Sequence, residues 1–190
     1  MNPELKFTFH KSFDGYVAKL NIPKSVVKES TDQPNFILLL DRSGSMGQNV
    51  TRIINNILPT ALNKLGYKPD DTIYIVTYDS IADVYKPKLK DLPSINICSR
   101  GSTNLEPGLD KLRQLFSLLD NKVRLLHISD GNIWDIDEAI KKSETLHKNI
   151  ISGHQINSQA IRYMTGGQPD TRGLSSTLKF GNTIESKLLD

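Results

Sequence analysis

The stretch whose reading decides the fold is Asn35 to Gly47, NFILLLDRSGSMG. Phe36, Ile37, Leu38, Leu39 and Leu40 form an unbroken apolar run. A strand apolar on both faces belongs in the middle of a parallel sheet covered by helices on both sides. The run ends at a charge, Asp41, which places a carboxylate at the carboxyl end of a central strand, where open α/β sheets hold their ligands. Ser43 and Ser45 follow at alternate positions around Gly44, so one turn carries a carboxylate and two hydroxyls.

A carboxylate with alcohols and no soft donor nearby suits a hard divalent cation such as Mg2+. Two further pieces of such a site occur downstream. One is Gly101-Ser102-Thr103-Asn104, a loop before a helical pattern. The other is Ser129-Asp130-Gly131, which closes a second largely apolar run, Val123 to Ile128. Strand, aspartate and glycine thus recur as one device. Helix capping accounts for Asp41, Ser43 or Thr103 taken singly, but not for two aspartates that each end a strand.

With these positions in hand the chain resembles the von Willebrand factor A domain family. Asp41, Ser43 and Ser45 match D-x-S-x-S, and Thr103 and Asp130 follow in the order and at the separations of that family's metal ion-dependent adhesion site. The resemblance covers roughly residues 35 to 180. It implies an α/β fold, a doubly wound and mostly parallel central sheet flanked by helices, Rossmann-like in outline. It implies that Ser43, Ser45 and Thr103 contact the cation, that Asp41 and Asp130 balance its charge directly or through water, and that a coordination position is left for a partner's carboxylate. Mg2+ is the expected ion, with Mn2+ or Ca2+ as alternatives. The expected partner is a protein presenting Asp or Glu, and the chain is expected to be part of a larger polypeptide or complex.

Partner choice would then come from the rim of the site, and Met46, Gln48, Asn104, Ile133 and Trp134 are its candidates. Met46, Gln48 and Asn104 read equally as solvated loop positions. Ile133 reads first as a core residue, and Trp134 suits a rim or a core, since Trp is enriched at interfaces yet usually well buried.

Ahead of the core, Leu5 to Pro23 alternates apolar and polar residues about a turn at Ser12 to Gly15, an N-terminal β-hairpin. The expected organisation is therefore a hairpin and polar linker over 1–34 and an A-like domain over 35–190, shortened at its carboxyl end because only Asn182 to Asp190 remain for a last strand and helix. Within the domain, Val50, Ile53, Ile54, Ile57, Ala61, Leu62 and Leu65 recur at helical spacing, with a kink expected at Pro59 and a stop at Gly66. Strands are expected over Thr72 to Thr77, Ala82 to Tyr85 and Gln155 to Met164. Further helices are expected from Leu105 to Leu119, with Pro107 in the first turn, from Ile133 to His147, and briefly from Arg172 to Leu178. Pro87 to Arg100 reads as a loop.

Composition narrows the function. The net charge is +3, from 24 basic and 21 acidic residues. The lysines at 86, 88 and 90 lack the interleaved aromatics of a nucleic-acid surface, so no nucleic-acid partner is expected. A single cysteine, Cys98, excludes an internal disulfide and a multi-thiolate metal site. The start MNPELKFTFH lacks a signal-peptide pattern, and no apolar run reaches membrane-spanning length, so a cytoplasmic or nuclear location without membrane insertion is expected.

Enzyme readings fit less well. A phosphoryl-accepting aspartate of the haloacid dehalogenase type wants a second acid where Ser43 stands, S-G-S-M-G fails the G-x-S-x-G elbow at its first glycine, and no P-loop is present. His127, two residues from Ser129, reads as a packed side chain. The expected function is a metal-dependent protein-interaction module and not an enzyme. The alternative is a scaffold domain whose partners dock away from the metal.

Overall fold

The computed structural model describes residues 6–12, 15–21, 33–119, 123–131, 133–146, 150–158 and 182–186. The chain divides into two units, Met1–Gln33 and Pro34–Asp190. In the first, β1 (Lys6–Ser12) and β2 (Gly15–Asn21) pair antiparallel, with Lys6 opposite Asn21 and Ser12 opposite Gly15. The alternating sequence thus makes the expected hairpin.

The second unit is built on a six-stranded sheet in the order β5-β4-β3-β6-β7-β8. Its strands are β3 (Asn35–Asp41), β4 (Ile73–Tyr78), β5 (Ala82–Tyr85), β6 (Val123–Ser129), β7 (Ile150–Ser158) and β8 (Asn182–Ser186). All neighbours are parallel except β4 and β5, which form the antiparallel hairpin at one edge. The apolar run of β3 lies at the centre because both its faces need covering, and Ile37, Leu38, Leu39 and Leu40 are fully buried. Each such side chain contributes roughly 1.5–3 kcal/mol on leaving water.

Alternation sends the strand residues to two cores. Ile37, Leu39, Val76, Tyr78 and Leu125 pack with α3 (Glu106–Leu118) and α4 (Ile136–Ser143) through Leu109, Leu112, Leu115, Phe116, Ile136 and Ala139. Leu38, Leu40, Ile73 and Ile75 pack on the other face against α1 (Asn49–Arg52), α2 (Leu58–Lys64) and the 3-10 turns of Leu89–Ser94, through Val50, Ile54, Leu58, Leu62, Leu89 and Leu92. Among the described residues no helix is long and apolar enough to cross a membrane.

Several expectations need correction. Between α1 and α2 the helix widens into a π turn, Ile53–Ile57, where the Leu58 N–H donates to the Ile53 carbonyl. Pro59 has no N–H to offer the preceding turn, so the irregularity precedes the proline. It shifts the buried series from Ile54 to Leu58 and leaves Ile57 half exposed, against its expected place on the inner face. The loop from Pro87 contains the 3-10 turns. The third major helix is shorter than expected, and His147 lies outside the described residues. The next strand begins at Ile150 instead of Gln155, and its expected end at Met164 lies outside them, as does the helix expected over Arg172 to Leu178. A final parallel strand is present, Asn182–Ser186, paired with β7 from His154 to Ser158.

Candidate metal centre at the carboxyl end of the sheet

Parallel register sets Leu40 beside Ile128, so Asp41 and Asp130 leave adjacent strands at nearly the same level. Both are fully buried. After Asp41 the chain turns into the 3-10 segment Gly44–Met46, and the Ser43 N–H folds back onto Asp41 Oδ1 at 2.8 Å. The Ser43 and Ser45 hydroxyls share a hydrogen bond of 3.1 Å. The Thr103 loop is attached to this turn by backbone: Gly44 N donates to Gly101 O at 3.2 Å and Arg100 N to Arg42 O at 2.7 Å. On its other side Trp134 N donates to Thr103 O at 2.9 Å, which brings in the loop that follows Asp130. The turns that carry Asp41, Thr103 and Asp130 therefore meet.

Does a cation suit this donor set? Burial raises the Asp41 carboxyl to about 6, against the hydrogen bonds from Ser43 and Ser129, and the charge of Asp130 pushes the same way. Asp41, with the charge of buried Asp130 acting on it, Ser43 and Ser45 in its own turn and Thr103 on the attached loop, belongs to an all-oxygen set that a hard divalent ion would balance. Among the described residues no group of three or more His, Cys, Asp and Glu side chains is assembled for a metal. Any ion held here would depend on hydroxyls as well as on the two acids.

Residues outside the expected set hold this arrangement. Ser129 donates to Asp41 Oδ2 at 2.8 Å and accepts from Gly131 N at 2.9 Å. Beneath it the Tyr78 hydroxyl and His127 Nε2 share a 2.7 Å hydrogen bond in the core. Burial holds His127 down at about 3, so the ring is neutral, and lifts the Tyr78 phenol well above its ordinary value. Asp135 accepts from the N–H groups of Leu105 and Glu106 at 2.7 and 2.8 Å. That carboxylate caps α3, whose own N-cap side chain, Leu105, has no polar atom to offer.

Asp79 is the third strand-end aspartate, closing β4 as Asp41 closes β3. Its carbonyl accepts from Asn104 N at 2.9 Å and its carboxylate from Ile81 N, Arg42 and Arg100. Burial acts to raise its pKa, but those three bonds prevail and hold it below the ordinary value. The same apolar-run-then-aspartate pattern that marks Asp41 and Asp130 was the available signal for it. Nothing local marks Ser129 or Asp135, because their partners lie 88 and about 30 residues away in the chain.

At the expected rim, Gln48 is exposed, Asn104 is half-buried and Trp134 is 69% exposed. Met46 is a correction, being fully buried in the core beneath α1, and for Ile133, 5% exposed in the core with α3, the core reading holds and its place among the rim candidates falls. Both are apolar residues in short turns that dip back to the sheet, so neither faces a partner. Ile81, 54% exposed in the β4–β5 turn, was not foreseen at this end of the sheet.

No protein-family model matches the chain, and no curated protein matches it. Solved structures do. Manganese-loaded TRAP protein of Plasmodium vivax matches with a TM-score of 0.56 and 14% identity over 81% of this chain and 68% of that one. The pilus adhesin SpaC of Lactobacillus rhamnosus GG matches with 0.60 and 12% over 96% of this chain and 32% of that one. A von Willebrand factor type A protein of Catenulispora acidiphila matches with 0.55 and 13% over 97% and 46%. At such identities the likeness establishes the fold: the chain has the von Willebrand factor A fold, a mostly parallel sheet flanked by helices.

Proposed function

We propose that this chain is a divalent-cation-dependent protein-interaction module and not an enzyme. The observation that carries the reading is the meeting of three turns, through the Gly44–Gly101 and Trp134–Thr103 backbone bonds, around Asp41, Ser43, Ser45, Thr103 and Asp130. Ser43, Ser45 and Thr103 would hold the ion and Asp41 and Asp130 would balance it. A bound Mg2+, or Mn2+ or Ca2+ in its place, would supply an electrophilic position for an Asp or Glu of the partner. Gln48, Asn104 and Trp134 form the rim, with Trp134 as the exposed aromatic anchor of the kind that dominates interface energetics.

Two neighbours support this reading, since one is manganese-loaded and another is an adhesin. The burial of His127, neutral and bonded to Tyr78, supports binding over catalysis, because the ring is spent on the core.

The test has two arms. Mg2+ or Mn2+ is expected to raise the melting temperature of the wild-type chain, by the mass-action gain of about 2.7 kcal/mol at a hundred times Kd, and to leave Asp41→Ala unmoved. A protein captured by the immobilised chain in Mg2+ is expected to be lost in EDTA and with Thr103→Ala, and to be weakened by Trp134→Ala. Capture indifferent to both EDTA and Thr103→Ala would assign the chain to scaffolding through another surface.

A further inference from the structure

Arg42 occupies the second position of D-x-S-x-S and is 3% exposed. A buried guanidinium has to be matched by carboxylates, and here two answer it. Arg42 Nε donates to Asp79 Oδ2 at 2.7 Å and Nη2 to Asp83 Oδ2 at 2.6 Å, while Nη1 reaches the Tyr85 hydroxyl at 3.3 Å. Arg100 repeats the pattern on the same two oxygens, with Nε to Asp79 Oδ2 at 3.0 Å and Nη2 to Asp83 Oδ2 at 3.3 Å. Two arginines and two aspartates close a neutral ring of four ion pairs.

Three members of the ring adjoin the metal centre, Arg42 and Arg100 through the chain and Asp79 through a backbone bond. Arg42 lies between Asp41 and Ser43. Arg100 precedes Gly101-Ser102-Thr103, and the Asp79 carbonyl holds the N–H of Asn104, the residue after Thr103. Gly101, at φ 71°, has its Cα so close to Asp79 that a Cβ there would stand 3.3 Å from the Asp79 Cβ and Cγ. The two aspartates of the ring belong to the β4–β5 hairpin at the sheet edge, and the two arginines fasten both hydroxyl-bearing turns to it.

We infer that the Arg42–Asp79–Arg100–Asp83 ring is the positioning device of the metal centre: it sets the distance between the Ser43–Ser45 turn and Thr103 and keeps two guanidinium charges from opposing a cation. This rests on the metal-binding reading proposed above. Arginine suits the task because its planar fork spans two carboxylates at once, which a lysine ammonium does not.

Positioning and plain electrostatics predict opposite signs for one substitution, which makes the inference testable. Arg100→Gln removes a positive charge near a cation site, so Coulomb's law alone would tighten cation binding. Loss of positioning would loosen it. The experiment is calorimetric titration of Mn2+ into the wild-type chain, Arg100→Gln and Asp83→Asn, with melting temperatures of each in EDTA. Arg100 is 55% exposed and Asp83 43%, so both variants leave the cores untouched.

The expected result is about tenfold weaker Mn2+ binding for Arg100→Gln, with EDTA melting temperatures close to wild type. Asp83→Asn, which leaves two arginines facing one aspartate, is expected to weaken binding too, by an amount that shrinks at high salt. Arg100→Gln binding Mn2+ as tightly as the wild type, or more tightly, overturns the positioning role. Failure of the wild-type chain to bind Mn2+ overturns the metal reading itself, and the two failures are told apart by the wild-type titration.

Discussion

Ser129 donates a 2.8 Å hydrogen bond to Asp41, joining the ends of β3 and β6 beneath the candidate metal centre. The same hydroxyl accepts from Gly131 N. Ser129→Ala therefore orphans a backbone donor and strips one partner from a buried carboxylate. The expected loss is roughly 1–3 kcal/mol, read as a lower urea midpoint with an unchanged slope. A midpoint equal to wild type would mean that water replaces the hydroxyl at both atoms.

Asp135 caps a helix it does not belong to. Asp135→Ala leaves the N–H groups of Leu105 and Glu106 without their acceptor, at an expected cost of about 1–2 kcal/mol. Asp135→Asn, which keeps an acceptor oxygen, is expected to recover part of it. Hydrogen exchange at Leu105 and Glu106 reports the cap directly, and faster exchange confined to those amides is the expected signature.

Gly108 lets α3 approach the sheet. A Cβ at this position would stand 3.2 Å from Leu39 Cδ1 and from Tyr78 Cβ. In an open helix Gly→Ala gains about 1 kcal/mol of propensity. Here Leu39 lies in the central strand and Tyr78 is tied to His127, so neither yields easily. Gly108→Ala is expected to lose on the order of 1–3 kcal/mol through overpacking, seen as a lower melting temperature.

The buried His127 couples stability to pH. Its folded value near 3 lies below the unfolded value of about 6.5. The unfolded chain therefore takes up the proton first as acid is added. This contribution is complete above pH 6.5 and is lost as pH falls toward 3, at up to ~1.4 kcal/mol per pH unit. Asp41 runs the other way: raised to about 6 from 3.8, it adds stability as pH falls through that window in the absence of metal. Urea unfolding in EDTA from pH 7 to pH 4 separates the two, because the difference between wild type and His127→Gln removes the Asp41 contribution. The difference is expected to shrink steadily with acid, and a constant difference would deny that His127 stays neutral.

The residues that were legible and those that were not differ in the distance to their partners. Asp41 and Asp130 stand out because a charge ending an apolar run is visible within a dozen residues, and Ser43 and Ser45 share the turn of Asp41. Arg42, Arg100 and Asp83 look like ordinary polar loop residues, although Arg42 is among the most buried cations in the described structure. Met46 misled in the opposite sense: an apolar residue in a polar loop reads as a rim candidate, and only the return of its turn to the sheet shows it as core. Pro59 announced a helix defect, but whether the defect was a kink or a π turn depended on which side chains the sheet accepted.

Local apolar runs and their terminal charges were enough to specify the order of the strands' residues, the two-sided burial of the central strand and the place where hydroxyls and acids collect. Those follow from solvation and periodicity, which act residue by residue along the chain. The ion-pair ring, the Ser129 and Asp135 bonds and the true faces of Met46, Ile133 and Trp134 belong to the folded molecule alone. They depend on contacts between elements tens of residues apart, and such contacts acquire their energy only after the sheet has brought those elements together and excluded water.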